Sequence, residues 1–363
     1  MATLAAPAST APERAPAIDA LTVNAVLIAV RQAANVLCDR WSLVTLLLAQ
    51  TGTHRFNEFS ERSGMASRLL TSRLAMLEEQ EIIVRLPYMR RPPRYDYHLS
   101  HMGLALFDVF ATMARWEQTW HPGAAGVGLR IEHLACGSTA VHPAPHCAAC
   151  DAALQATDIK LTVSQREMRP MPTKETSYRR STLSTTKRGV GAPVPLAHAI
   201  DVFGDKWGIE LVMCLFTRVR NFNDFQMHLG ISTNILADRL ARLSAFGILR
   251  PTTDADRYGK GAYALTDKGI DLHPILLAIQ AWADQWLPER YRSPVKFVHR
   301  PCGHPLRLRV SCDRCGEALE RGNSRLVIES ARGSAGTREV ADSVSTRASN
   351  RDLAGPTTGS AQT

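Results

Sequence analysis

The sequence predicts an α+β fold class, mainly helical with small β-hairpins, in which one folding unit occurs twice. Three observations predict it. Asp39-Arg40-Trp41 returns as Asp205-Lys206-Trp207, and Phe56-Asn57-Glu58-Phe59 as Phe222-Asn223-Asp224-Phe225, both at an offset of 166. The same offset joins Gly64 to Gly230, Arg73 to Arg239, Tyr97 to Tyr263, Gly103 to Gly269, Trp116 to Trp282 and His133 to His299. A constant offset over about a hundred residues marks two copies of one unit without internal insertions. The order of helical and β-rich spacings is also the same in both copies. Finally, each copy ends in a Cys/His cluster.

The first copy defines the elements. Ala20–Leu37 reads as a helix, with Leu196–Phe203 as its counterpart. Trp41–Gln50 places Trp41, Val44, Thr45 and Leu48 on one side, the spacing of a helix packed on a core. A short helix over Phe56–Ser63 ends at a turn at Gly64. Ser67–Gln80 is the next helix, with Leu69, Leu70, Leu74 and Leu77 on one side. Ile82–Leu86 and Tyr95–Leu99 are β-rich and joined by a Pro-containing segment, which reads as a hairpin with a long loop. Ser100–Trp120 is a final long helix with Leu104, Phe107, Phe110, Met113 and Trp116 on one stripe.

This order is the winged helix-turn-helix plan, whose third helix fits a DNA major groove and whose hairpin reaches the backbone beside it. Opposite the leucines of Ser67–Gln80 lie Arg68, Thr71, Ser72 and Ala75, with Ser67 at the helix start. Small polar residues around one arginine leave base edges approachable. The second copy holds Thr233, Asn234, Ala237, Asp238 and Ala241 there. Arg suits guanine and Asn suits adenine, so the two copies are expected to read different half-sites. Arg73 and Arg239 lie nearer the leucine side. A structural ion pair or helix-end contact is favoured for them, with phosphate contact the alternative. Ser232 is expected to cap its helix. Ala66 cannot, so Ser67 takes that role one residue later.

The first hairpin carries Arg90, Arg91 and Arg94 after Arg85, stiffened by Pro92 and Pro93. Such a cationic loop suits phosphate or minor-groove contact. The second, Asp254 to Lys260, retains Arg257 and Lys260 but is nearly neutral. The first copy should therefore dominate the electrostatic part of DNA binding.

His133-x2-Cys136-x10-Cys147-x2-Cys150 recurs as His299-x2-Cys302-x9-Cys312-x2-Cys315. Two short ligand pairs about ten residues apart suit a structural zinc knuckle, one ion per copy, with Cys3His ligation. His142, His146 and His304 compete for the fourth position, and reducible thiol pairs without metal are the alternative. Cys38 and Cys214 stand alone in helical contexts and read as buried small apolar residues.

The chain of 363 residues carries a net charge of +9, pointing to an anionic partner. The apolar runs Leu21–Val30 and Ser42–Ala49 fall short of the ~20 residues of a membrane span. No secretion signal is visible at the start, and eight cysteines are too few for a disulfide scaffold. A reducing cytoplasm is the consistent compartment. No acid, base or nucleophile set suggests an enzyme. The expected organisation is a disordered start over 1–18, a winged unit over 19–121 and a knuckle over 122–155. A flexible basic link over 156–193 follows, then a winged unit over 194–288, a knuckle over 289–325 and a disordered tail over 326–363. A link of this length could span ~30–35 Å, enough to join units one helical turn apart on DNA.

Each copy resembles the HxlR-type winged helix-turn-helix regulators of the MarR-like group. In the first copy the resemblance rests on Asp39-Arg40-Trp41-Ser42-Leu43, Arg55-Phe56-Asn57-Glu58-Phe59, Leu70-Thr71-Ser72-Arg73-Leu74 and Pro92-Pro93-Arg94-Tyr95-Asp96-Tyr97. In the second it rests on Gly204-Asp205-Lys206-Trp207, Asn221-Phe222-Asn223-Asp224-Phe225, Leu236-Ala237-Asp238-Arg239-Leu240 and Tyr263-Ala264-Leu265-Thr266-Asp267-Lys268-Gly269. The resemblance implies a bacterial, nucleoid-associated regulator that binds double-stranded DNA as a dimer through its outer helices. Here a tandem chain would act as an intrachain pseudo-dimer, or as a homodimer with four units. Many members carry a cysteine just before the first helix, which senses oxidants in some of them. Ile28 and Val194 stand at that position here, so this route is absent. Cys38 replaces a glycine, and the second wing lacks the Pro-Pro-Arg element. Two alternatives follow: a metal- or redox-responsive regulator that senses through the clusters, or a second copy serving only protein interaction.

Overall fold

The computed structural model describes residues 20–122, 127–163, 193–252, 261–288 and 295–330. All of them lie in one compact unit, Met1–Ala331. The expected disordered start, most of the tail, the second wing and most of the link lie outside the described residues. The link's first residues do not follow the sequence expectation. They form a short 3-10 turn over Ala156–Asp158 and a strand over Ile159–Val163. Likewise Ser324–Ser330, placed partly in the tail, is a strand.

In the first half, α1 (Ala20–Leu37), α2 (Arg40–Gln50), α3 (Phe56–Ser63) and α4 (Ser67–Glu79) lead into a hairpin of β1 (Ile83–Arg90) and β2 (Pro93–Leu99). The helix expected over Ser100–Trp120 is broken into α5 (His101–Leu104) and α6 (Phe107–Trp120). Gly64 ends α3 in the left-handed region at φ 67, a conformation glycine adopts without strain. Gly103 is demanded by space, since a Cβ there would lie 2.3 Å from the Ile82 carbonyl oxygen. Gly269 stands in the same relation to Ile248, at 2.1 Å. These two close approaches explain why the glycines recur.

The second half repeats the plan with α7 (Ala197–Phe203), α8 (Lys206–Phe216), α9 (Phe222–Leu229), α10 (Thr233–Ala245), β6 (Leu249–Pro251), β7 (Tyr263–Leu265), α11 (Asp267–Ile270) and α12 (His273–Trp286). The halves do not hang apart on a tether. α1 packs on α8 and α12, and α6 on α7 and α12. One hydrophobic core runs through both halves, from Val26, Leu27 and Val30 to Ile209, Leu276 and Ile279. By length and composition α1 could cross a membrane, which the sequence reading did not anticipate, but its apolar side is used in this packing.

Reciprocal bonds fix the arrangement. Trp116 Nε1 donates to the Lys268 carbonyl at 3.0 Å, and Trp282 Nε1 to the Met102 carbonyl at 2.9 Å. Asp39 and Asp205 face each other in an isolated antiparallel bridge, where Arg40 N–H donates to the Gly204 carbonyl at 3.1 Å. Beyond the helices the halves exchange strands. β3 (Val127–His133) pairs with β10 (Ser324–Ser330), and β5 (Ile159–Val163) with β8 (Val295–His299). Between them β4 (Ala144–Cys147) pairs antiparallel with β9 (Leu308–Ser311).

Candidate nucleic-acid interface and metal centres

α4 turns Leu70, Leu74 and Leu77 into the core and leaves Ser67, Arg68, Thr71, Ser72 and Ala75 exposed. The open face is thus the polar one. In α10 the exposed residues are Thr233, Asn234, Ile235, Ala237, Asp238, Ala241 and Ala245. Neither helix has a side-chain cap, contrary to the expectation for Ser232 and Ser67. Ala66 has no acceptor, Ser232 makes no cap bond, and Ser67 already lies within the helix. The first-turn N–H groups are therefore not covered by a capping side chain.

Arg73 and Arg239, also named as DNA contacts, are held by the core of the molecule. Arg73 Nη2 donates to Asp39 Oδ1 at 3.2 Å. Its Nε lies 2.9 Å from Oδ2 without hydrogen-bond alignment. Asp39 Oδ2 also accepts the Ser42 N–H at 3.0 Å, capping α2. Arg239 pairs in the same way with Asp205, and also with Asp238. Burial pushes the Asp205 carboxyl up, and the Arg239 guanidinium opposes that shift. Both arginines therefore tie the candidate recognition helices to the Asp39–Asp205 bridge rather than reaching outward. The sequence signal was present in their position on the leucine side.

In the first wing, Arg90, Arg91 and Arg94 are exposed at the hairpin tip. No ion pair involves them among the described residues. Arg85 differs from the other three. Its Nε lies 3.3 Å from Glu78 Oε1, and its guanidinium sits 4.5 Å over the Tyr95 ring. Leu86, Tyr88 and Met89 are exposed beside the cationic tip. Arg257 and Lys260 lie outside the described residues.

All eight cluster ligands named from sequence come together, but in a different grouping. One group is His133, Cys136, Cys312 and Cys315; the other is Cys147, Cys150, His299 and Cys302. Each takes two ligands from each half, which corrects the expectation of one self-contained cluster per copy. The exchanged strands explain it. β3 delivers His133 beside β10, and the β4–β9 pair sets Cys147 and Cys312 at opposite ends of one ladder. In each group the donor atoms lie within 4.8 Å of one another. His133 Nδ1 is 3.2 Å from Cys136 Sγ and 3.4 Å from Cys315 Sγ, and Cys136 Sγ is 3.9 Å from Cys312 Sγ. His299 Nδ1 is 3.3 Å from Cys302 Sγ and 3.4 Å from Cys150 Sγ. A tetrahedral zinc bound to thiolates and imidazole has donor–donor edges of about 3.5–3.8 Å, so both quartets fit that ion. Hydrogen bonds at Ser138 hold the Cys136 thiol down at about 6, favouring the thiolate that a metal takes. Both histidines are fully buried.

The competing histidines lie elsewhere. His142 Nδ1 faces Gln118 Oε1 at 3.1 Å, His146 Nδ1 faces Ser311 Oγ at 3.2 Å, and His304 joins neither group. Burial pushes the Cys38 and Cys214 thiols well up, consistent with inert core residues.

Residues 36–124 and 202–291 each match the HxlR-like helix-turn-helix family. An uncharacterized HTH-type transcriptional regulator of Mycobacterium tuberculosis is 30% identical over 128 residues, 35% of this chain and 81% of that protein. YtfH of Escherichia coli, also described as an HTH-type transcriptional regulator, is 28% identical over 24% of this chain and 69% of its own length. YvaP of Bacillus subtilis, with the same description, is 30% identical over 24% of this chain and 83% of its own length. No solved structure matches the chain. Two matched regions, separated as the duplicated residues are, and relatives covered over most of their length place the chain in one family: it belongs to the HxlR-like helix-turn-helix proteins.

Proposed function

We propose that this regulator, which is not an enzyme, reads a promoter operator in duplex DNA as an intrachain pseudo-dimer with two zinc ions bracing its halves. The observation that carries the reading is a polar helix face, Ser67 to Ala75, exposed beside a hairpin tip bearing Arg90, Arg91 and Arg94. The arginines supply a sequence-independent grip on phosphates or the minor groove, and Arg68, Thr71 and Ser72 address base edges. On the second half, Thr233 and Asn234 address bases while Asp238 opposes phosphate. An imperfect palindrome with one strong and one weak half-site is the expected operator, and the cytoplasm the place of action.

Selection of bound sequences from a random duplex library tests this. Arg68→Ala should relax one half-site and Asn234→Ala the other. If both variants relaxed the same positions, or neither changed the selected sequence, the half-site assignment would fail.

Zinc would be held by His133, Cys136, Cys312 and Cys315, and by Cys147, Cys150, His299 and Cys302. It supplies cross-linking and no reaction. Because each quartet spans both halves, a second reading is supported too: loading the clusters tunes DNA affinity. Chelation that lowers operator binding while the far-ultraviolet spectrum is kept favours this sensor reading. Loss of fold together with binding favours a purely structural ion.

A further inference from the structure

The first wing carries more than its arginines. Of the nine large apolar side chains exposed among the described residues, four belong to β1: Val84, Leu86, Tyr88 and Met89. β1 is buried only at Ile83, and from Pro87 to Arg94 every residue of the hairpin is exposed. An uncovered apolar strand invites non-native pairing, and soluble proteins keep such surface small unless it has an occupant. We infer that the hairpin end is a wedge: Met89 enters the minor groove of a duplex, parts two stacked base pairs and kinks the DNA, while Arg90, Arg91 and Arg94 hold the phosphates on either side. The inference rests on the duplex-reading function proposed above and adds to it a deformation of the DNA.

The ladder singles out Met89. Pro87 faces Tyr95 and Met89 faces Arg94, so Tyr88 is the extra residue of a bulge. Beyond the bulge Met89 and Arg94 stand directly opposite each other, and cross-strand partners project from one face of the ribbon. The apolar side chain is thereby set beside a guanidinium, one rung short of the turn. Tyr88 is engaged elsewhere, since the Arg55 guanidinium lies 5.4 Å from its ring centre. Val84 and Leu86 lie farther back along the strand. Methionine is unbranched and polarizable, which suits the irregular gap between unstacked bases. Apolar wedges, Met and Pro among them, recur in proteins that bend DNA from the minor groove. Charge selects the occupant: Arg90, Arg91 and Arg94 are exposed around Met89, a surrounding that suits a polyanion.

The kink follows from the dimensions. At roughly 3.3 Å per residue the exposed stretch Pro87–Arg90 reaches about 10 Å. That exceeds the minor-groove depth of about 7.5 Å. The two strands alone lie about 4.8 Å apart before side chains are added. A groove about 6 Å wide therefore admits the ribbon only by opening. Parting a base step in the minor groove opens it and kinks the duplex toward the major groove.

The second half serves as a comparison. At the offset of 166, Val84 becomes Arg250, Leu86 becomes Thr252, Tyr88 becomes Asp254 and Met89 becomes Ala255. The apolar side chains are thus lost together with the arginine cluster, while β6 still pairs with β7. The hairpin forms without them, which argues for a contact rather than for structure. One kink per chain is expected, beside the half-site of the first copy.

The test uses the full chain and a duplex that it selects from a random library. Energy transfer between labelled duplex ends reads the bend, and 2-aminopurine placed in turn along the site reads unstacking. Binding should bend the duplex by about 20° or more and raise the 2-aminopurine signal at a step beside one half-site only. Met89 is exposed, so its variants should fold. Met89→Ala should lose both signals and Met89→Leu should keep them. Neither should change the slope of log affinity against log salt, because no phosphate contact is removed. A duplex that binds but stays straight and stacked, or a kink that survives Met89→Ala, overturns the wedge and leaves the DNA reading standing. Failure to bind any duplex ends both. A dimer of the chain that Met89→Ala dissolves, with the duplex unkinked, also overturns the wedge and gives the face to a second copy.

Discussion

The crossed grouping of the eight ligands gives a prediction that separates it from any arrangement confined to one copy. Two double variants contain the same chemical change, two Cys→Ser substitutions. Cys136→Ser with Cys147→Ser removes two ligands of the first copy. Cys136→Ser with Cys312→Ser removes one ligand from each copy. In the structure, the first pair strikes both quartets and the second pair strikes only the quartet of His133, Cys136, Cys312 and Cys315. The native chain should hold two zinc ions. The first double variant should lose both, and the second should keep one at native affinity. A quartet reduced to three protein ligands still binds weakly, so the count is read by elemental analysis after dialysis against a competing chelator. Apparent zinc affinities of about 10–16 kcal/mol in small structural sites mean that an intact quartet survives such dialysis. The reverse pattern, one ion in the first variant and none in the second, would show that each copy closes its own cluster. Equal counts in both variants would also refute the crossing.

Four further predictions follow from the same geometry. Arg90→Ala, Arg91→Ala and Arg94→Ala together should lower affinity for every duplex and flatten the slope of log affinity against log salt by about 2.7, read by fluorescence anisotropy; an unchanged slope would remove the wing from the interface. Gly103→Ala should destabilise by about 1–3 kcal/mol in denaturant melts, since its Cβ would meet the Ile82 carbonyl; Gly52→Ala, with open space but φ 88, separates crowding from backbone strain. Asp39→Ala should cost about 1 kcal/mol for the lost cap of α2, and should also weaken operator binding because Arg73 loses its anchor; stability loss without a binding change would make the ion pair purely structural. Light scattering should find one chain per operator, and two chains would favour the four-unit homodimer.

Much of this molecule was legible in the chain, because duplication acts as its own alignment. Repeated glycines marked the turn at Gly64 and the close approach at Gly103, and repeated leucines set which face of α4 is buried. Arg73 and Arg239 were separable from Arg68 by helical angle alone. The helix break at Ala105 and Leu106 carried no signal, since neither residue interrupts the apolar stripe. The strand at Ile159–Val163 was hidden because its partner, β8, lies more than a hundred residues away and in the other copy. Short strands stabilised by such distant pairing read locally as polar link.

The crossing of the clusters was illegible for a related reason. A duplicated sequence is equally consistent with each copy closing on itself and with each closing on its neighbour, because both use the same ligands at the same spacings. Pairing decides between them. α6 packs on α12, and the β3–β10, β4–β9 and β5–β8 pairs each take one strand from either copy, so the ligands that follow these strands meet across the halves. The tandem arrangement gives both halves one intrachain core. Symmetry between the halves is then no longer enforced by identical chains. The second half lacks the arginine cluster of the first wing and carries Asp238 where the first has Ser72, while the Asp39–Asp205 bridge and the crossed quartets draw on both halves alike.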